Sequence, residues 1–298
     1  MPEQYVNVYD QVGEREDLID VITNISPEDT VILSALGRTD AKSFKHDWLT
    51  EALQASNSGN AIIDGASATF ASGDYNVRVL VSNYTQILRK PFSASYSQEA
   101  IVQAGISSEF EHQRELKTVE IARDLNAALI NQTSASGTSA AARRMNGVLA
   151  STTTNVIGGE GNPVTQKEFN RLLQTIWQAG GRPGTVFCGG GNKRTISDWG
   201  QPQGNRNVDA SGHKIIARVD TYDSDFGIVE IMPEREMPTD QIAVMELKRW
   251  RVAYLRPLFF EEMGAVGEQK RGTVVSEATL EYLAENSSGK ITNVPPAN

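Results

Sequence analysis

The residues that could do chemistry come first. Gly189-Gly190-Gly191-Asn192-Lys193-Arg194-Thr195 follows a short apolar run and precedes helical sequence, where a phosphate-binding loop would stand. Such a loop needs G-x-x-x-x-G-K-[ST], so that the lysine reaches the β/γ-phosphates and the hydroxyl holds magnesium. No placement of this run meets that spacing. A dinucleotide fingerprint fails too, because Arg194 stands at the third glycine position. Asp220, Asp223 and Asp225 suggest calcium. From Asp223, however, Gly227 falls at the fifth position of an EF-hand loop, where a ligand side chain is needed, and a hairpin turn accounts for the same residues. Asp225-Phe226-Gly227 matches the kinase magnesium triplet, but no HRD catalytic loop precedes it. His46, His112 and His213 lie far apart without partners at metal-ligand spacing. Cys188 sits in an apolar strand with no sign of activation. There is no G-x-S-x-G elbow. These residues point to no catalytic, cofactor or metal site, and the expectation is a protein that is not an enzyme.

The elements that would have to position any site are organised around one long helix, Ser107–Gln132. Leu116, Val119, Ala122, Leu125 and Leu129 recur every three or four residues, with Ile121 and Ala128 widening the stripe. Ser107 or Ser108 can cap its start, and the polar run after Gln132 ends it. The chain has 298 residues, 39% of them hydrophobic, which is enough for a core. A net charge of -9 argues against a dedicated nucleic-acid grip or an anionic-membrane binder. No apolar run approaches the ~20 residues that span a bilayer. The N-terminus lacks the basic and apolar regions of a signal peptide. One cysteine excludes an intrachain disulfide and fits assembly in a reducing cytoplasm.

Residues 1–58 read as an arm. It carries a short helix at Glu16–Asn24, a helix start at Ser26-Pro27-Glu28-Asp29 stopped by Gly37, and a strand over Phe44–Leu49. These pieces are too short to enclose a core. Residues 59–92 read as a long hairpin, Ala61–Ala71 and Tyr75–Leu88 around Ser72-Gly73-Asp74. A lone hairpin is marginal in water and exposes two edges, so it must lie in its own domain or on a neighbouring subunit. Residues 93–137 hold the long helix. Residues 138–241 read as an inserted lobe. In it a capping box at Thr165-Gln166-Lys167-Glu168 opens a helix with Phe169, Leu172, Leu173, Ile176 and Trp177 on its apolar face. Thr185–Cys188 is a buried strand, Gln201–Gly212 a polar loop, and Lys214–Thr221 with Gly227–Met232 a hairpin. Residues 242–298 return as strands, Ile242–Leu255 and Thr273–Glu285. Val274, Ala278, Leu280, Tyr282 and Ala284 of the second share the face that suits the stripe of the long helix.

Several stretches, in order along the chain, resemble the tailed-phage major capsid family. They are Gly13-Glu14-Arg15-Glu16-Asp17-Leu18, the run Ile22–Thr30 (ITNISPEDT), His46-Asp47-Trp48 and Ser82-Asn83-Tyr84-Thr85-Gln86-Ile87. Ser224-Asp225-Phe226-Gly227, Leu255-Arg256-Pro257 and Glu277-Ala278-Thr279-Leu280-Glu281 complete the set. Each is weak alone and the set is specific. Herpesvirus capsids and encapsulins share the fold of this family. The resemblance implies an α+β tailed-phage major capsid fold: an N-arm, an extended E-loop hairpin, a P-domain with a spine helix, and an A-domain. The five segments above fill those slots.

The implied function is a major capsid protein. Its pentamers and hexamers would form the icosahedral head around the double-stranded DNA genome, assembled in the host bacterial cytoplasm. Its partners would be itself, a portal and a cement or decoration protein; DNA would be enclosed without sequence-specific binding, and no membrane is involved. Because the sequence opens at the arm, any scaffold is expected to be a separate protein. Some relatives crosslink through a lysine of the extended loop, but no lysine lies between Asn57 and Arg89, and Lys90 stands at the hairpin base. No loop-tip crosslink is therefore expected. Tyr5, Tyr9, Phe70, Tyr75, Val77, Val79 and Tyr84 are the expected intersubunit contacts. The alternatives are an encapsulin-like compartment shell, told apart by its contents, and a soluble oligomeric enzyme with a site converging from distant sequence.

Overall fold

The computed structural model describes residues 26, 29–68, 75–101, 105–199 and 219–297. In chain order the elements are α1 (Val31–Ala35), β1 (Gly37–Asp40), β2 (Lys45–Glu51), β3 (Arg78–Tyr84), β4 (Gln86–Ser95), α2 (Tyr96–Ala100), α3 (Glu109–Asn131), α4 (Val148–Ser151) and β5 (Val156–Gly158). There follow α5 (Gln166–Gln178), β6 (Thr185–Cys188), α6 (Gly190–Trp199), β7 (Thr221–Ser224), β8 (Gly227–Pro233), β9 (Ile242–Met245), β10 (Trp250–Met263), β11 (Gln269–Tyr282) and β12 (Gly289–Thr292).

The long helix α3 is a rod of roughly 35 Å. Ser108 is its cap: the Ser108 hydroxyl accepts from the Glu111 amide at 3.2 Å. The Glu99 carboxylate accepts from the Ser108 hydroxyl at 2.5 Å and from the Phe110 amide at 3.2 Å. Burial concentrates in the C-terminal half, at Ile121, Leu125, Ala128, Leu129 and Ile130. Leu116, Val119 and Ala122, expected in the same stripe, are only half-buried. The helix lies on a four-stranded sheet of order β1-β10-β11-β4, in which β1 runs parallel to β10 and the other pairs are antiparallel. At Gly272 the rings of Phe110 and Phe260 come so close that a β-carbon would stand 2.6 Å from Phe260 and 3.0 Å from Phe110. β11 is not a one-faced strand. Val274, Ala278 and Leu280 are buried, and so are Thr273, Glu277, Thr279 and Glu281 of the opposite alternation.

The lobe is a six-stranded sheet of order β5-β12-β9-β6-β8-β7. One face, with Phe187, Ala243 and Met245, shares a core with Leu125, Leu129 and Trp250. The other face, with Val186, Cys188, Ile242 and Val244, lies under Phe169, Leu172, Leu173 and Ile176 of α5 and Ile196 of α6. The capping box of α5 is present in full. A buried knot ties lobe to spine: Glu234, 1% exposed, accepts from the Ile32 amide and the Asn126 side-chain amide, while Asn126 accepts from the Leu33 amide.

Four expectations need correction. The hairpin does not pair Ala61–Ala71 with Tyr75–Leu88. Residues 61–68 form no strand, the chain turns at Asp64-Gly65, and β3 pairs instead with β2, from Lys45↔Tyr84 to Glu51↔Arg78. Gly65 takes φ +79 and the Ala66 amide bonds back to Ile63, so a Gly- and Ser-rich stretch bends where an apolar count reads extension. Ile242–Leu255 is two strands in two sheets, and β12 also joins the lobe, so the C-terminal strands do not all return to α3. Gly190 and Gly191 are the first turn of α6 rather than a loop before it. Gly37 begins β1, and Leu36 is the residue that ends α1. The helix expected at 16–24, the turn at 72–74 and the loop at 201–212 lie outside the described residues, as do Pro27 and Glu28.

Candidate intersubunit surface

The β2–β3 ribbon is held at one end only. At its root the Asn83 side chain, 1% exposed, donates to the carbonyls of Leu280 at 2.7 Å and Asn146 at 3.2 Å. It accepts from the Asn146 amide at 2.8 Å and the Tyr84 amide at 2.9 Å. His46 Nε2 lies 3.1 Å from a Glu281 carboxylate oxygen, and the Trp48 ring meets Tyr282 edge-on at 5.1 Å. The Thr85 hydroxyl donates to Glu277 at 2.7 Å. Arg143 and Arg256 complete the Glu277 site, the Arg256 bond at 2.8 Å. Burial pushes the Glu277 carboxyl up, but the hydrogen bonds of Thr85, Arg143 and Arg256 outweigh it and hold the group below the usual carboxylate range.

Beyond the root the ribbon carries apolar side chains that no described residue covers. Leu49, Val79 and Leu80 are each more than half exposed, Val77 is 66% exposed and Tyr75 71%. In the connecting loop Leu53 is 90% exposed, Ile62 74% and Ile63 84%. An ion pair near the end of the ribbon, Arg78 with Glu51 at 3.2 Å, is itself exposed and contributes little. Leu49 and Leu80 lie opposite each other on one face of the ribbon and Val77 and Val79 on the other, and exposed apolar side chains in this number mark an interaction site. Of the expected contacts, Tyr75, Val77 and Val79 belong to this surface, while Tyr84 is half-buried at the root beside Asn83. Tyr5, Tyr9 and Phe70 lie outside the described residues. Leu49, Leu53, Ile62, Ile63 and Leu80 were missed. Their signal was present in the pair Ile62-Ile63, apolar in a polar, glycine-containing stretch, once the stretch was read as a loop. A second exposed group lies on the lobe. There Trp177, 56% exposed and expected inside the stripe of α5, meets the Phe226 ring at 5.8 Å in a tilted contact, and Ile228 of β8 is exposed as well.

The residues screened for chemistry have structural employment. Lys193 donates to the carbonyls of Val219 and Ile231, the latter at 2.9 Å, and lies 3.7 Å from Asp220. Burial pushes the Cys188 thiol up to about 12, against the pull of the Lys193 charge, so the thiolate nucleophile is suppressed. Lys90 lies 2.8 Å from Asp124 and 3.7 Å from Glu120 on the spine. His213 is outside the described residues, and among those described no group of three metal-ligating side chains converges. No helix among them is long and apolar enough to cross a membrane.

A family model described as SU10 major capsid protein matches residues 4–295. The major capsid protein of Escherichia phage Phieco32 is 33% identical over 123 residues, which is 41% of this chain and 34% of that protein; the match thus spans about a third of the relative. Among solved structures, the capsid of a native GTA particle aligns at TM-score 0.66 with 12% identity, over 95% of this chain and 96% of that one. A structure from Mycobacterium phage Bobi aligns at 0.63 with 13% identity, over 96% of both chains. The holo-SrpI encapsulin of Synechococcus elongatus PCC 7942 aligns at 0.63 with 11% identity, over 95% and 93%. The α+β fold expected from the sequence is therefore the fold observed, shared by phage capsids and an encapsulin.

Proposed function

This chain belongs to the SU10 major capsid protein family, and from that premise we propose that it assembles as pentamers and hexamers into the icosahedral head of a tailed phage, around double-stranded DNA. The observation that carries the mode of assembly is the ribbon of β2 and β3 with its loop: apolar, anchored at its root and left exposed by the described residues of its own subunit. In a closed ring each subunit presents one surface to the next and receives another, so the same ribbon is covered on every copy. Tyr75, Val77 and Val79 would be buried there, with Tyr5, Tyr9, Phe70 and Tyr84 as further contacts.

The proposed division is an arm that ends before β2, since β2 pairs with β3, an extended loop built on the β2–β3 ribbon, a P-domain of α3 with β4, β10 and β11, and an A-domain formed by the six-stranded lobe. Assembly would take place in the host cytoplasm, with portal, scaffold and cement proteins as partners. The acidic balance of -9 suits a wall that encloses DNA without gripping it. The encapsulin likeness supports a second reading, a protein-filled compartment of the same architecture. Sedimentation followed by negative-stain imaging tests both. Closed shells or isolated pentamers and hexamers are expected, and nucleic acid rather than packaged protein inside them. A homogeneous monomer or dimer that persists at high concentration with scaffold supplied would overturn the proposal.

A further inference from the structure

Two of the short stretches singled out in the sequence, His46-Asp47-Trp48 and Glu277-Ala278-Thr279-Leu280-Glu281, meet at the root of the ribbon. Their contact is His46 Nε2 with Glu281 at 3.1 Å, the two side chains being 16% and 10% exposed. Among the described residues the Glu281 carboxylate makes no other hydrogen bond or ion pair. Arg251 stands opposite it in the β10–β11 register without pairing with it. Glu277, on the same face, holds two guanidinium groups instead. A carboxylate this far from water is costly unless a charge is paired with it. The one partner of Glu281 is a side chain whose charge is set by pH, since histidine titrates between about pH 5 and 8. His46 Nδ1 has no partner among the described residues, so that nitrogen is open to a second proton. The Trp48 ring, 5.6 Å from the imidazole and edge-on to Tyr282, covers the pair, and an aromatic ring at this distance favours a cation.

We propose that the His46–Glu281 pair is a proton-operated latch for the ribbon: protonation of His46 turns a hydrogen bond into a nearly buried ion pair and fixes β2 to β11, and loss of the proton loosens the ribbon on the sheet. The latch belongs to the single subunit and holds whether or not the shell reading does. Its sign follows from linkage. The charged imidazole gains a partner in the folded root, so the added stability is present on the acid side and is lost as pH rises. The other charged groups around the pair do not imitate it. Lys45 and Asp47, on the other face of β2, pair with each other at 3.4 Å. Asn83, opposite His46 on β3, does not titrate. On β11 the contribution of Glu277 is complete above about pH 5, and Tyr282, pushed by burial above the usual phenol range, stays neutral. Arg143, Arg251 and Arg256 keep their charge at every pH of interest.

The test is hydrogen exchange on the dissociated full chain at about pH 5.5 and 7.5, corrected for the intrinsic pH dependence of exchange and read against α3 as the internal reference. In wild type, protection of Lys45–Glu51 and Arg78–Tyr84 should be about fivefold higher at the lower pH, the ratio expected when a neutral hydrogen bond becomes a charged one. His46→Gln, whose side-chain amide donates a hydrogen bond but takes no proton, should show the same ribbon protection at both values. Glu281→Gln, which removes the other charge, should do the same. Wild-type protection that does not rise on acidification overturns the latch. A rise of equal size in His46→Gln overturns the assignment to this histidine. Should His46→Gln fail to fold, Glu281→Gln decides: a rise that persists without the carboxylate overturns the pairing, and its disappearance supports it.

Discussion

Glu277 is where the most charge is concentrated in the least water. Its side chain is 3% exposed and meets two guanidinium groups and a hydroxyl. Two consequences can be measured on the dissociated subunit. Glu277→Gln keeps the shape and removes the charge, and should cost about 1.5–3 kcal/mol in urea unfolding near neutral pH, the range for hydrogen bonds to charged groups. The folded-state carboxyl titrates below its unfolded value, so its contribution is complete above about pH 5 and is lost as pH falls through the carboxylate range. Wild type should therefore lose more stability than Glu277→Gln on acidification. Equal losses in the two proteins would show that this carboxylate carries no pH dependence. Sequence reading placed Glu277 in a family motif, but its partners come from residues 85, 143 and 256, and no spacing rule connects them.

At the scale of elements, the β2–β3 ribbon depends on its root. Asn83 satisfies four hydrogen bonds in a site closed to water, and Asn83→Ala leaves the carbonyl of Leu280 and the amide of Asn146 without those partners. A cost of about 1–3 kcal/mol is expected. Hydrogen exchange should rise across Lys45–Tyr84 while α3 keeps its protection, because the helix draws its stability from a separate core at Leu125 and Leu129. Uniform loss of protection would mean the ribbon is not a separate unit. The helices were legible because their signals are local: the cap of α3 at Ser108 and the capping box at Thr165 are read within four residues. The ribbon was half legible. β3 alternates as expected, but its partner lies across a connection of 26 residues, from 52 to 77, and pairing over such a distance leaves no local mark.

For the whole molecule, the loop is expected to be needed for assembly and not for folding. Glu51 and Arg78 face each other in register, so residues 52–77 can be replaced by a two-residue Asn-Gly turn without disturbing the ribbon below. The shortened chain should keep the melting temperature of the unassembled subunit within a few degrees, roughly the effect of 1 kcal/mol or less. It should also form no closed shells in sedimentation. Shells of normal yield would show that cover of the loop contributes nothing to assembly.

Composition and motif spacing determined what this chain lacks a pattern for, and a scattered set of short stretches determined its family. Periodicity determined the spine helix and the lobe helix, since a 3.6-residue repeat is a property of consecutive residues. Only the tertiary structure decided that β9 and β12 leave the C-terminal strands for the lobe, that β11 is buried on both faces, and that Trp177 stands outside the core. Those facts depend on which surfaces meet after the chain has crossed from one sheet to the other. Exposure of Ile62 and Ile63 belongs to the same class. An isoleucine pair in a strand-like run reads as buried, and it is the bend at Gly65, beyond the ribbon, that leaves this one exposed.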